Sequence, residues 1–345
     1  MRIKKNKISN GVNLKFLIIG LGSMGKRRVR NLLFNCERRI IGYDISPARR
    51  REAEIKYNIK TAGDLKKISE KDYDAMIIST PPDKHGDYIR LALKHKKHFF
   101  VEHPTSTDGY GDVFKNKNLR SVKAPSCTMR FYRPIKMIKE ILDKGKIGKI
   151  LAFNYHMGQF LPDWHPYEDY RRVYFSKKAT GACREMLPFE LIWLNWLMGS
   201  EVAEISGSMD KISDLKMRAD DMALAGLKYK NGILGNVMID VISRKPFRTL
   251  RVLGSSGVLE WERFDSVIKL YDAKSKKTKI IKVPEGNPEK GYVNEEKMYH
   301  DEIKAFLLAI KGKKKYPHTF AENLGTLKVL FALEESGRTG KKIKL

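Results

Sequence analysis

The stretch Phe16-Leu17-Ile18-Ile19-Gly20-Leu21-Gly22-Ser23-Met24-Gly25 constrains the fold more than any other part of the chain. Its apolar, β-favouring run stops at a Gly-x-Gly-x-x-Gly turn, and a helix-forming segment from Met24 to about Asn35 follows directly. Gly20 permits a tight reversal, Gly22 lets backbone N–H groups approach a bound phosphate, and Gly25 lets the helix pack closely on the strand. The start of the helix, with Ser23 and Met24 in it, offers unpaired N–H groups and a partial positive charge to a pyrophosphate. A second strand, Arg39 to Asp44, ends in a carboxylate nineteen positions after Gly25. A carboxylate there accepts both ribose hydroxyls of an adenosine and repels a 2′-phosphate, so turn and acid together predict a dinucleotide site that prefers NAD to NADP. Arg49, Arg50 and Arg51 lie just downstream and partly offset that preference.

A length of 345 residues suffices for two domains with a substantial core. No window carries the roughly eighteen apolar residues of a membrane span, and no signal-like apolar segment follows the basic start Met1 to Lys7, which predicts a cytoplasmic protein. Cys36, Cys127 and Cys183 leave one cysteine over in any disulfide scheme and lack metal-ligand spacing; reduced thiols and no metal are expected. The balance of 68 basic against 40 acidic residues gives a net charge of +28. Those charges are spread along the whole chain with no aromatic-interleaved RNA-binding signature, which argues against nucleic acid as the partner. Anionic small molecules, such as nucleotide sugars, fit the charge more economically.

The first part of the chain alternates strands and helices. Ser46-Pro47 reads as an N-cap followed by proline at the first helical position, opening a helix to about Tyr57. A strand from Tyr73 to Thr80 stops at Pro81-Pro82, a helix runs from Lys84 to His95, and the strand His98 to Glu102 is halted by Pro104. Ser121 to Met129 is the expected last strand. Such repeats imply a parallel, doubly wound sheet that binds ligands beyond the carboxyl ends of its strands, where Gly20, Asp44, Thr80 and Glu102 all fall. From about Pro134 the pattern changes. A helix to Lys144 leads into strands at Ile150 to Met157, Ala223 to Tyr229, Ile233 to Val241, Arg248 to Leu253, Val258 to Trp261, Val267 to Tyr271 and Lys279 to Val283, with Asn231-Gly232 as a hairpin turn. These predict a large, mostly antiparallel sheet, followed by helices over Glu295 to Lys311 and Glu322 to Ser336. The fold class is therefore α/β, with residues 1–124 forming the nucleotide domain and 125–345 an α+β domain for substrate binding and oligomerisation.

With these parts placed, the chain resembles the Gfo/Idh/MocA oxidoreductases, relatives of glucose-fructose oxidoreductase and inositol dehydrogenase. The matching segments are GLGSMG at 20–25, Asp44, STPPDKH at 79–85, ALKHKKHFFVEHP at 92–104, MRFYRP at 129–134, GKIGKI at 145–150, DWHPYEDYR at 163–171 and ESGRTG at 335–340. The resemblance implies a Rossmann domain, a nicotinamide cofactor contacted by Ser79, Thr80, Pro81, His85 and Glu102, hydride transfer at a sugar carbinol carbon, and a homodimer or homotetramer formed through the outer face of the antiparallel sheet. DWHPYEDYR and the GKRRVRNL helix are similar to a subgroup linked to surface-polysaccharide biosynthesis. Where the family pattern reads Glu-Lys-Pro, with lysine handling the proton, this chain has Glu102-His103-Pro104. Imidazole can do the same work; the alternative is a site that has lost its chemistry. The family's aspartate, histidine and final aspartate fall on Glu185, Phe189 and Ile192, and neither of the last two can move a proton.

Several assignments follow. Pro188 suits the first position of a helix, which would set Glu190 in its first turn, either as a partner to His103 and Glu102 or merely as a cap. Arg130 and Arg184 can pair an anionic substrate group or form ordinary ion pairs. Asn154 and His156 share one parity of their strand and face the substrate, while Leu151, Phe153 and Tyr155 face the core. Trp164 and His165, with Asp169, Tyr170 and Arg171, form a loop that binds sugar or a partner, and Glu185 joins the substrate set. The expected function is an NAD(P)-dependent sugar or nucleotide-sugar oxidoreductase. The rival is a non-redox relative that senses a dinucleotide, or keeps NAD for internally balanced hydride chemistry.

Overall fold

In the computed structural model, which describes residues 14–164, 168–284, 286, 289 and 295–345, the chain builds two sheets. The first is assembled from β1 (Lys15–Ile19), α1 (Ser23–Phe34), β2 (Arg39–Tyr43), α2 (Pro47–Tyr57), β3 (Lys60–Ala62), β4 (Ala75–Ile78), α3 (His85–Lys94), β5 (His98–Val101), α4 (Tyr110–Lys115) and β6 (Lys123–Pro125). Its six strands run parallel in the order β3-β2-β1-β4-β5-β6. Every residue of β4 is buried, as a strand covered on both faces requires. The chain runs outward from β1 in one direction to β3 and in the other to β6, so the crevice at the switch point opens beside Gly20. Ser46 accepts a hydrogen bond from the Arg49 amide and Pro47 opens α2, in agreement with the local sequence signals.

The remaining elements are α5 (Arg133–Asp143), β7 (Ile150–Phe160), α6 (Cys183–Met198), β8 (Val202–Asp210), β9 (Met222–Tyr229), β10 (Leu234–Asp240), β11 (Ile242–Gly254), β12 (Gly257–Glu262), β13 (Val267–Asp272), β14 (Lys277–Lys282), α7 (Lys297–Ile310), α8 (Phe320–Thr339) and β15 (Ile343–Lys344). They give a nine-stranded sheet in the order β14-β13-β12-β11-β7-β10-β9-β8-β15, antiparallel except for the parallel pair β7–β10. The inward row Phe153, Tyr155, Val237, Leu250 and Val252 joins α6 and α8 in one apolar core. Although α7 lies late in the chain, Ile303, Phe306 and Leu307 pack with Phe16, Ile18 and Phe100 of the first sheet.

Some expectations needed correction. The strand expected over Ser121 to Met129 is only β6, because the chain turns at the Ser126–Thr128 corner and Thr128–Phe131 coils into a 3-10 turn. Leu151, expected in the core, is exposed because the β7–β11 register shifts there, pairing Ile150 and Ala152 with Gly254 and Leu253 and leaving Leu151 as the bulged residue. The short elements β3 and α4 and the strand β8 carry too little periodicity to be visible in the sequence. The consequential difference concerns α6, which begins at Cys183 and carries Pro188 inside it. Glu190 therefore sits well inside the helix, on its inward face, and is fully buried. It accepts hydrogen bonds from the Tyr155 hydroxyl, the Trp193 Nε1–H and Arg248 Nη2, each at 2.6 Å. With both oxygens held by three buried donors, and His103 not among them, Glu190 anchors the second core instead of meeting His103 as expected.

That geometry has a measurable consequence. Glu190→Ala leaves the Arg248 guanidinium buried without its counter-charge and should cost about 3–5 kcal/mol in urea unfolding. Unchanged stability with lost activity would instead restore a catalytic role.

Candidate functional site

The carboxyl ends of the first sheet are tied together beyond the strands themselves. Gly20 N donates to Tyr43 O at 2.8 Å, Ser79 N to Ile19 O at 2.8 Å, Glu102 N to Ile78 O at 3.0 Å and Ser126 N to Val101 O at 2.8 Å. The residues that follow β1, β2, β4 and β5 are thus held in one row along the crevice. Gly20 has φ +89°, and a Cβ there would lie 2.7 Å from the Ser79 carbonyl oxygen, so only glycine fits. A Cβ on Gly25 would run into the Gly20 carbonyl oxygen. Gly22 caps α1 without any side-chain hydrogen bond, and no acid occupies the first turn. The helix start around Ser23 and Met24 therefore keeps its partial positive charge for an anion. Asp44 is buried against the turn, with Oδ2 accepting the Leu21 amide at 2.7 Å and Oδ1 the Ser46 amide at 2.8 Å. Each oxygen retains a lone pair for a ribose hydroxyl. Of the three downstream arginines, Arg50 is spent on the carbonyl oxygens of Asp44 and Ile45, Arg51 is exposed on α2, and Arg49 reaches to 3.8 Å from Asp44 Oδ2. These residues fit an adenine dinucleotide.

Past the turn, several polar side-chain atoms are buried and have no hydrogen-bond partner among the described residues. They are Thr80 Oγ1, His85 Nδ1, both ring nitrogens of His103, Glu185 Oε2 and Trp164 Nε1. His85 Nε2 donates to the Thr80 carbonyl at 2.9 Å, which leaves Nδ1 as a bare acceptor; burial pushes its pKa down to about 4. His103 follows β5, with its ring edge-on to Phe189 of α6 at 5.7 Å. Burial, then the neighbouring His318 and His85 rings, depress its pKa to about 3, so the imidazole is neutral. Pro81 lies exposed at the mouth of this region.

The adjacent Glu102 is not a mobile acid. Both its oxygens are taken by Arg28 of α1, Nε to Oε1 at 2.6 Å and Nη2 to Oε2 at 2.8 Å, and Ser79 Oγ donates to Oε1 at 3.3 Å. Arg28 is fully buried and also donates through Nη1 to Glu302 of α7 at 2.9 Å. Burial works against its charge, but the two carboxylates outweigh it and raise the guanidinium pKa. Glu302 in turn accepts from the Cys127 amide, Ser126 Oγ and Thr128 Oγ1. Arg28 was not anticipated as part of the site. The signal was present: Gly25, Arg28, Val29 and Leu32 share the buried face of α1, and a charge in that row requires buried acids.

Other assigned residues sit elsewhere. Arg130 is buried and donates to the carbonyl oxygens of Ile192 and Pro317 and to Glu322. Arg184 ties Glu334 of α8 to the carbonyl oxygens of Thr105 and Ala179. Both guanidinium groups serve packing, not an anionic substrate. Asn154 and His156 do share a face, but it is the side of the sheet opposite α6, where they pair with Asn236 and Asp240. Alternation that turns Tyr155 towards α6 necessarily turns its neighbours away from it. Trp164 packs edge-on to Phe175 at 4.6 Å, while His165 lies outside the described residues. Glu185, by contrast, is in the first turn of α6, where Oε1 accepts the Tyr174 hydroxyl at 3.2 Å. Burial, with the nearby Glu102 adding to it, raises the Glu185 pKa to about 8. Tyr174 is a second unanticipated site residue, because nothing in its irregular segment marks it.

Comparison with known proteins agrees with this geometry. Residues 14–122 match the model described as the oxidoreductase family, NAD-binding Rossmann fold, and residues 135–260 match the GFO/IDH/MocA C-terminal domain. The chain belongs to the Gfo/Idh/MocA oxidoreductase family. It is 27% identical to a myo-inositol 2-dehydrogenase of Thermotoga maritima over 252 residues, covering 70% of this chain and 72% of that protein. An Agrobacterium radiobacter oxidoreductase crystallised with NAD+, L-tartaric acid and magnesium superposes with a TM-score of 0.86 at 16% identity, over 96% of this chain and 98% of the other. Levoglucosan dehydrogenase in complex with NADH does so with a TM-score of 0.82 at 17% identity, over 96% and 98%. This Gfo/Idh/MocA chain is an NAD-binding oxidoreductase with the expected parallel sheet and larger, mostly antiparallel second sheet. Among the described residues no helix is long and apolar enough to cross a membrane, and no cluster of three or more His, Cys, Asp or Glu side chains could hold a metal ion.

The buried imidazoles give a pH test. His103 and His85 have folded pKa values of about 3 and about 4, below an ordinary histidine. The unfolded chain therefore binds more protons below about pH 6.5, and the stability held by neutral burial is full above that pH and lost as pH falls through this window. His103→Asn should lose less stability than the wild type between pH 7 and pH 5 in denaturant titrations; equal losses would contradict the burial of a neutral ring.

Proposed function

We propose that the protein interconverts a secondary carbinol and a ketone on a cyclic polyol or sugar, with NAD as the redox partner. One observation carries this reading: polar atoms of Thr80, His85 and His103, which follow β4 and β5 at the strand ends that also hold the glycine turn and Asp44, are buried without a partner among the described residues, as is one oxygen of Glu185, which lies near Glu102. A hydroxylated ring offers the donors and acceptors that such a lining lacks. The names of the relatives, inositol and levoglucosan dehydrogenases, support the same substrate class.

In this reading Gly20, Gly22 and Gly25 with the start of α1 hold the pyrophosphate, and Asp44 holds the adenosine ribose. Bound there, NAD supplies the hydride acceptor or donor. Thr80 and His85 line the approach to the reacting end, with the neutral His103 beside them. Glu102, clamped by Arg28, contributes a fixed negative field and moves no proton. A nucleotide sugar belongs to the same reaction class, and the net charge of +28 favours such an anion. A role in surface-polysaccharide synthesis would follow from a substrate of that kind.

The test is turnover. Purified protein given NAD+ with myo-inositol, levoglucosan or UDP-glucose should produce NADH with at least one of them, seen by nicotinamide absorbance, and Gly25→Ala should abolish both coenzyme binding and turnover. Tight NADH binding with no turnover across such polyols would favour a sensor over a dehydrogenase.

A further inference from the structure

Of three glutamates on the elements that bound the site, Glu185 alone has an oxygen without a hydrogen-bond partner among the described residues. Glu102 has both oxygens on Arg28, and both oxygens of Glu190 are engaged, by Tyr155, Trp193 and Arg248. Among the described residues Glu185 has a single partner, the Tyr174 hydroxyl on Oε1, while its buried Oε2 meets no donor. The residue as a whole is only partly exposed, and its place in the helix is forced. Ala182, the cap of α6, is fully buried at φ +45° and ψ −125°, a conformation that L-residues rarely adopt. A Cβ on the preceding Gly181 would run into the Phe175 backbone, so α6 starts hard against the segment that carries Tyr174. The first turn of α6 is thereby set where Glu185 meets Tyr174.

We propose that Glu185 is the group that exchanges the substrate's hydroxyl proton and that Tyr174 tunes it, with His103 acting as a neutral hydrogen-bond partner. The proposal rests on the carbinol-oxidising reading above and names the proton route within it. In the oxidative direction the carbinol C–H bond breaks and its electron pair passes as hydride to NAD+. The O–H bond breaks and its proton goes to the Glu185 carboxylate, and the C=O double bond forms. The carbinol is oxidised, NAD+ is reduced, and the protonated Glu185 then releases its proton to solvent. The reverse reaction uses the protonated carboxyl as the acid.

Chemistry supports the choice. His103 is too weak a base for the task, as its proton affinity is depressed by burial among His318, His85 and the Phe189 ring. The Glu185 carboxyl is raised to about 8 by burial and by Glu102, against the lowering effect of the Tyr174 hydrogen bond. Tyr174 itself faces Glu185, Glu102 and Glu168, and its own pKa is raised well above the ordinary tyrosine value by burial, so it stays protonated and donates. A base in this range suits proton transfer near neutral pH.

Infrared difference spectroscopy of the full chain with bound NADH gives a readout independent of turnover. The wild type should show a protonated-carboxyl band that fades as pH rises through about 8, and E185Q should lack it. Tyr174→Phe, which removes the hydrogen bond that lowers the Glu185 pKa, should move that fading to higher pH. In kinetics with a substrate found above, oxidation should rise with pH through the same range. E185Q should lose on the order of 100-fold or more in kcat, and His103→Asn should keep the rise at a lower rate. A wild type without the band, a Tyr174→Phe variant with an unshifted band, or an E185Q variant with its pH rise intact overturns the proposal while leaving the dehydrogenase reading in place. Coenzyme binding without turnover by the wild type overturns the dehydrogenase reading, and the proton route falls with it.

Discussion

The rest of the site depends on one buried cation. Arg28 lies under the crevice with its guanidinium 4.5 Å from the centre of the Phe100 ring, one edge on Glu102 and one nitrogen on Glu302. Through these bonds α1, which holds the dinucleotide turn, is joined to the end of β5, which holds His103, and to α7. Glu302 extends the link to the Ser126–Thr128 corner, where the chain leaves the first sheet for the second. Burying such a cluster contributes little net stability compared with a well-packed apolar alternative. What it does contribute is position, because a guanidinium fork with two fixed acids admits one arrangement of α1, β5 and α7.

Three glutamates of similar intrinsic acidity are given different roles by their surroundings alone. Glu102 is tied to a cation at the strand ends, Glu190 is a hub for Tyr155, Trp193 and Arg248 within the second core, and Glu185 is desolvated with one oxygen unpartnered among the described residues. Where the family resemblance implies a lysine and a histidine, this chain has His103 and Phe189, and the two rings meet edge-on. Phe189 has no titratable group, and burial keeps the His103 ring neutral. In the proposed proton route the acid–base work falls to Glu185, on the same helix as Phe189.

How much of this was legible in the sequence follows from which interactions are local. The glycine turn, Asp44, the Ser46-Pro47 start of α2 and the Asn231-Gly232 hairpin are read from neighbours within a few residues, and each stands where those neighbours put it. The two sheets follow from periodicity summed over many residues. The roles of Arg130, Arg184 and Glu190 depend on partners 35 or more residues away, such as Pro317, Glu334 and Tyr155, and residue type alone could not show that their polar atoms were already engaged. The start of α6 was misplaced because Pro188 reads locally as a helix opener, whereas the packed, strained Gly181-Ala182 corner starts the helix one turn earlier. Asn154 and His156 were correctly placed on one face, but parity cannot say which face looks at the site.

The account stands or falls on where the reactive end of the coenzyme lies. A crystal structure of the NADH complex measures this directly. The account predicts the pyrophosphate on the start of α1, the adenosine ribose on Asp44, and the nicotinamide ring in contact with His103 and Glu185. A ring held away from both, with Glu185 still bonded only to Tyr174, would contradict it.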